Sequence, residues 1–219
     1  MGRIARKLIF VFLFLGVMSP SYADVRMKGL NAPDTFKLYD FPRPAPTATF
    51  RDGRGKTVSL KDFKGKILIV NMWASNCPRC VVELPMLNRL QRDMGGLKFH
   101  VIALAAGRET QTGIRHLWAK KELSDLDIYI DDGDSFSMAA GVLGLPTTLL
   151  VDGEGQELGR IRGMAEWDGP TIKAQIREMI RREKAKPPVK KEESARPKKS
   201  ESDVPPPPDR KNEFSSWFK

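Results

Sequence analysis

Residues 67–80 read Ile67-Leu68-Ile69-Val70-Asn71-Met72-Trp73-Ala74-Ser75-Asn76-Cys77-Pro78-Arg79-Cys80. The first seven are almost continuously apolar and rich in β-branched residues, which suits a central strand covered on both faces. Beyond them, Val81, Val82, Leu84, Met86, Leu87 and Leu90 mark a helical stripe over Pro78–Met94. Pro78 fits the first helical position, where its missing N–H forfeits no hydrogen bond. Pro85 lies inside the stripe and predicts a kink, because it removes a donor and crowds the preceding turn.

The two cysteines carry the chemistry. A C-x-x-C spacing on a first helical turn brings the sulfurs within disulfide range. The first sulfur meets unpaired backbone N–H groups and the positive end of the helix dipole, and both favour its thiolate. Arg79 adds a charge of the same sense. A thiolate attacks a partner disulfide to give a mixed disulfide, which the second cysteine resolves. Three other readings use the same residues. Half a zinc site needs two further ligands, and the chain has two cysteines in all, with His100 in a strand and His116 in a helix at no paired spacing. An inert structural disulfide is the second. A copper(I) site of two soft thiolates is the third. The strand-to-helix position favours redox work.

Outward from this core, strand-like and helix-like segments alternate, the pattern of an α/β domain. Ala48–Phe50 and Lys56–Val58 flank Asp52-Gly53-Arg54-Gly55, a hairpin signal. Leu97–Leu104 reads as a second strand, Thr110–Leu123 as a helix and Asp127–Ile130 as a short strand. Asp134–Gly141 reads as a short helix with Asp134 as its candidate cap. Thr147–Asp152 and Glu157–Arg162 pair as a hairpin across Gly153-Glu154-Gly155. A last helix opens at Trp167-Asp168-Gly169-Pro170, with Asp168 as cap, and runs to about Arg182.

The ends differ from the middle. Of 219 residues, 37 are basic and 27 acidic, a net charge of +10. Residues 24–182 hold 24 basic and 20 acidic groups, only +4. That balance gives no case for nucleic acid as a partner, which calls for basic residues clustered on one face. Residues 1–23 place Arg3, Arg6 and Lys7 before an apolar run, Leu8–Met18, and end on Ser21-Tyr22-Ala23. This is the order of a cleaved export signal. An uncleaved anchor is the alternative, although 11 apolar residues are few for a bilayer core about 30 Å thick. Either places the domain where disulfides form. Residues 184–219 hold seven of the 16 prolines and few large apolar groups, the composition of a disordered tail. Phe214, Trp217 and Phe218 close it with an aromatic cluster. The expected division is thus a leader over 1–23, an N-terminal extension over 24–45, a domain over 46–183 and the tail.

The run Trp73-Ala74-Ser75-Asn76-Cys77-Pro78-Arg79-Cys80-Val81-Val82-Glu83-Leu84-Pro85 resembles the active-site signature of TlpA-like thioredoxin-fold proteins. Gly144-Leu145-Pro146-Thr147-Thr148-Leu149-Leu150-Val151-Asp152 is similar to their second signature. The resemblance spans about Ala32 to Arg182, and Ala165-Glu166-Trp167 looks closer to the TlpA branch than to ordinary thioredoxins. It implies a thioredoxin-like α/β fold: a central mixed β-sheet flanked by helices, with an N-terminal β-hairpin extension. By the same resemblance, Cys77 is the exposed nucleophile and Cys80 the buried resolving thiol. Pro146 is a cis-proline facing the disulfide, which exposes the backbone of Leu145 to an extended partner segment. Glu83 is a buried acid that accepts the resolving thiol's proton, with its pKa raised by burial. One position departs from the family: Asn76 stands where a tryptophan is usual, so the docking surface formed with Pro78, Arg79, Leu145 and Pro146 is altered.

The expected function is an exported thiol:disulfide oxidoreductase acting as a monomer. Its substrate is oxidised protein thiols of cytochrome c or of the copper sites of cytochrome oxidase, and a membrane thiol reductase is its electron donor. No cofactor beyond the redox-active disulfide is expected. A disulfide-donating oxidase, or a carrier holding copper(I) transiently on the same thiols, is the alternative.

Overall fold

The computed structural model describes residues 36–185. The expected leader, most of the extension and the tail beyond residue 185 lie outside the described residues. Eight strands form one mixed sheet: β1 Leu38–Pro44, β2 Phe50–Asp52, β3 Thr57–Val58, β4 Ile67–Trp73, β5 Phe99–Ala105, β6 Tyr129–Ile130, β7 Thr147–Val151 and β8 Gln156–Arg162. Their order is β1-β8-β7-β4-β5-β6-β2-β3. The helices are α1 Pro78–Met94, α2 Gln111–Lys121, α3 Ser135–Ala139 and α4 Pro170–Ala185. Among the described residues no helix is long and apolar enough to cross a membrane.

The ILIVNMW run occupies the centre, parallel to β5 and antiparallel to β7. Every residue of β4 and β5 is buried, which explains their lack of alternation. The two-residue period splits β4 between two cores. Ile67, Ile69 and Trp73 face Leu84 and Leu87 of α1, Ile114 of α2 and Ile172 and Ile176 of α4. Leu68, Val70 and Met72 face the other way, towards Phe50 and Phe136. Fully burying one such side chain stabilises the fold by about 1.5–3 kcal/mol. Asn71 shares the face of Ile69 and Trp73, so strand geometry alone aims a polar amide at α1.

The hairpin at Asp52 forms as expected. Asp52 Oδ1 accepts from the N–H groups of Arg54 and Lys56, and Gly55 takes φ +84 at the turn. The hairpin pairs with β6 through Arg51 and Asp52. The sheet also gains β1, a strand for which the sequence offered no signal. It pairs with β8, and Tyr39 Oη donates to Glu157 Oε1 at 2.8 Å.

Two helix starts are corrected. Asp134 is not the side-chain cap of α3. It takes a left-handed backbone, φ +59, and its carboxylate receives the N–H of Gly107. Asp131 does the capping, accepting from Phe136 N at 2.8 Å and Ser137 N at 2.7 Å. Asp168 is likewise not the cap of α4. The carbonyl of Gly169 accepts the first helical bond, from Lys173, while Asp168 Oδ2 takes the Arg89 guanidinium at 2.6 Å. Helix α1 continues through Pro85 as a single element.

Candidate active site

The site lies where β4 runs into α1. Ala106 N donates to Trp73 O at 2.8 Å, Ser75 N to Glu109 Oε1 at 2.7 Å and Cys77 N to Ala74 O at 3.1 Å. These bonds hold the connection against the loop after β5. Cys77 is the N-cap of α1, with extended φ −97 and ψ 102, and Pro78 opens the helix. Cys77 and Cys80 form a disulfide, with their Cα atoms 5.3 Å apart. The Cys80 N–H donates to Cys77 Sγ at 3.3 Å, so a free backbone donor of the first turn points at the outer sulfur. The two sulfurs are unequal. Cys77 is half-buried and flanked by exposed Asn76, Pro78 and Arg79, whereas Cys80 is fully buried.

The loop before β7 reaches the same end of the sheet. The pairing of Met72 with Thr147 carries residues 144–146 alongside the segment leaving β4. The Leu145–Pro146 bond is cis, as the second signature implied. The Pro146 carbonyl accepts from Gly163 N at 2.8 Å, and Thr147 Oγ1 donates to Gly144 O at 2.7 Å. Pro146 is buried, Leu145 half-buried, and Leu143 beside them is 93% exposed.

Glu83 lies one turn along α1 from Cys80, on the same face. Its side chain is fully buried. Oε1 accepts from Asn71 Nδ2 at 2.7 Å and Oε2 from Trp167 Nε1 at 2.8 Å, and the Ala165 N–H is a third donor. Burial raises its pKa to about 7 against the pull of these three donors. Asn71 Nδ2 also donates to Thr148 Oγ1 at 2.8 Å. Thus β4, β7, α1 and the segment after β8 each place one polar side chain in a single buried network.

Sequence reasoning found Cys77, Cys80, Glu83 and the Pro146 loop, and the structure gathers them at one pole of the sheet. It missed Asn71, Thr148 and Trp167 as partners of Glu83. One signal was available: Asn71 is the single polar residue in an otherwise apolar strand. His100 is elsewhere. It pairs with Leu68, five residues back along β4 from Trp73, about 16 Å away at a strand rise of about 3.3 Å. There its Nε2 meets Tyr129 Oη at 3.0 Å and its ring stacks on Phe63. His116 is exposed on α2. Neither histidine joins the cysteines.

The model of the Redoxin family matches residues 43–176, which carry both the cysteine pair and the cis-proline loop. The chain belongs to the redoxin family. It is 31% identical over 157 residues to a thiol-disulfide oxidoreductase ResA of Bacillus cereus, covering 72% of this chain and 88% of that one. It is 29% identical over 150 residues to the thiol:disulfide interchange protein DsbE of Pseudomonas fluorescens biotype C, covering 68% and 74%. A solved thiol:disulfide interchange protein of the thioredoxin family from Chlorobium tepidum TLS superposes with a TM-score of 0.53 at 22% identity, over 65% of this chain and 99% of that one. That likeness shows the thioredoxin-like fold. This redoxin is a thiol-disulfide oxidoreductase, and the resemblance to TlpA-like proteins holds.

Proposed function

We propose that this redoxin is an exported reductant of protein disulfides, with Cys77 as nucleophile, Cys80 as resolving thiol and Glu83 as proton acceptor. The observation that carries the reading is the inequality of the two sulfurs: one half-buried at a helix N-terminus, the other fully buried one helical turn from a buried acid. The Cys77 thiolate attacks one sulfur of a substrate disulfide. That S–S bond breaks, the released substrate sulfur takes a proton, and a Cys77–substrate disulfide forms. Cys80 then gives its proton to Glu83 and attacks Cys77 Sγ. The second substrate sulfur leaves as a thiolate. Two electrons pass to the substrate, and the protein ends with the Cys77–Cys80 bond seen here. Asn76, Pro78, Arg79, Leu145 and Pro146 form the docking rim.

Cytochrome c and the copper sites of cytochrome oxidase are the proposed substrates, since both need reduced cysteine pairs outside the cytoplasm. A membrane thiol reductase restores the dithiol, because the surrounding compartment drives oxidation. The protein acts as a monomer, and the cysteine pair is its whole redox centre. In the producing cell, Cys80→Ser should accumulate a mixed disulfide between Cys77 and the substrate, identified by mass spectrometry. Absence of any trapped partner overturns the reading. A reduction potential below about −200 mV supports the direction, and one near −120 mV reverses it.

A further inference from the structure

The groups around Glu83 are one-sided. Asn71 Nδ2, Trp167 Nε1 and the Ala165 N–H all donate to it. An ionised carboxylate only accepts hydrogen bonds, so the arrangement suits that form. A protonated carboxyl group must also donate one, and neither an indole N–H nor a backbone N–H accepts. The asparagine amide does. Asn71 Oδ1 is buried and has no hydrogen-bond partner, while Nδ2 of the same amide bridges Glu83 Oε1 and Thr148 Oγ1.

We propose that Asn71 is a positioning residue of the proton-transfer step: its amide donates to Glu83 in the carboxylate form and reverses to accept from Glu83 when that group carries the proton of Cys80. The inference rests on the Cys77–Cys80 exchange proposed above. Reversal puts Oδ1 where Nδ2 now stands, within reach of Glu83 Oε1 and Thr148 Oγ1. Glu83 then donates to Oδ1 through the proton it has received. The Thr148 hydroxyl, an acceptor before, becomes a donor by rotating. Trp167 keeps its bond to Oε2 throughout. Either orientation leaves one amide atom buried without a partner, Oδ1 in the first and Nδ2 in the second, so this penalty does not separate the two. The proton passes from Cys80 Sγ to a Glu83 oxygen, and the freed thiolate spends its electron pair on the new sulfur–sulfur bond.

The groups bonded to Glu83 are Asn71 on β4 and Ala165 and Trp167 after β8; Thr148 on β7 is bonded to Asn71, and Cys80 lies one turn back on the helix of Glu83. Burial is the sole cause lifting its proton affinity, and no ionised neighbour contributes to the shift. The titration therefore belongs to this network.

NMR of the wild-type protein tests the reversal without a variant. At high pH the Asn71 Nδ2 protons should show cross-relaxation to the Thr148 side chain. That signal should vanish with the midpoint of the Glu83 carboxyl titration, followed by infrared spectroscopy. A signal that persists through the titration overturns the inference. Asn71→Leu removes a donor to the carboxylate. It should move the Glu83 midpoint, and the pH profile of the resolving step, to higher pH by about one unit. Thr148→Val should keep the fold and move the profile less. A profile unmoved in Asn71→Leu, with exchange intact in the wild type, refutes the role of Asn71 alone. Loss of exchange in the wild type itself refutes the reading beneath it.

Discussion

Two glutamates are buried among the described residues, and they have opposite surroundings. Glu83 is held by neutral donors, and burial pushes its pKa up to about 7. Glu157, on β8, is 3% exposed. Burial raises its pKa too, but hydrogen bonds from Arg160 and Tyr39 and the charges of Arg160 and Arg43 overcome that, and the net shift is downward. Arg160 grips it with two bonds, 2.6 and 2.8 Å, and donates a third to Ala140 O at 3.0 Å. Arg43 lies over the Tyr39 ring, 4.3 Å from its centroid. Burial alone does not decide what a carboxyl group does. A full counter-charge makes it a fastener, here joining β1 to β8 and β8 to the loop after α3. Neutral donors leave it able to take and release a proton near neutral pH.

Four measurements test the contrast. The largest effect is on rate. Glu83→Gln should slow resolution of the mixed disulfide by about 100-fold, a usual size for losing a proton acceptor. Arg160→Met, assayed where it is folded, should leave that rate within about twofold. Equal rates in the two variants would erase the distinction.

The next effect is on stability. Arg160→Met strands a buried carboxylate, and chemical denaturation at pH 7 should show a loss of about 4 kcal/mol. Loss of less than about 1 kcal/mol would mean that Glu157 had found water or a proton.

The third is the pH slope. Glu83 binds its proton more tightly folded than unfolded, so the protonated form favours the fold. Its contribution is full below the unfolded pKa of about 4.5 and fades as pH rises towards about 7. Wild-type stability should therefore fall by about 3 kcal/mol across that window relative to Glu83→Gln, as read by denaturant titration at pH 4.5 and 8. Glu157 has the opposite sign. Its folded pKa lies below the unfolded value, so its stabilisation is present above the unfolded pKa and is lost as pH falls through the folded one. The smallest effect is Tyr39→Phe, which removes one donor to Glu157 and should cost about 1 kcal/mol in the same titration.

Local chemistry made much of this legible in advance. An apolar run followed by a cysteine pair and a 3.6-residue stripe located β4 and α1 with their bounds. Gly153-Glu154-Gly155 located the turn between β7 and β8. What failed were features that the adjoining residues do not close. The strand β1 owes its pairing to β8, more than a hundred residues later, and carries no apolar alternation of its own. Asp134 looked like a cap because it precedes the helix, yet the chain turns left-handed there, and Asp131 reaches past it to the helical N–H groups.

Near neighbours in the chain suffice to place two cysteines at the opening of a helix behind a buried strand, because hydrophobic period, proline placement and spacing all act locally. How the acid beside them behaves depends on the assembled fold. Asn71, Thr148 and Trp167 come from three separate segments, and the affinity of a buried carboxyl group for its proton depends on which donors and charges the fold brings within hydrogen-bond range.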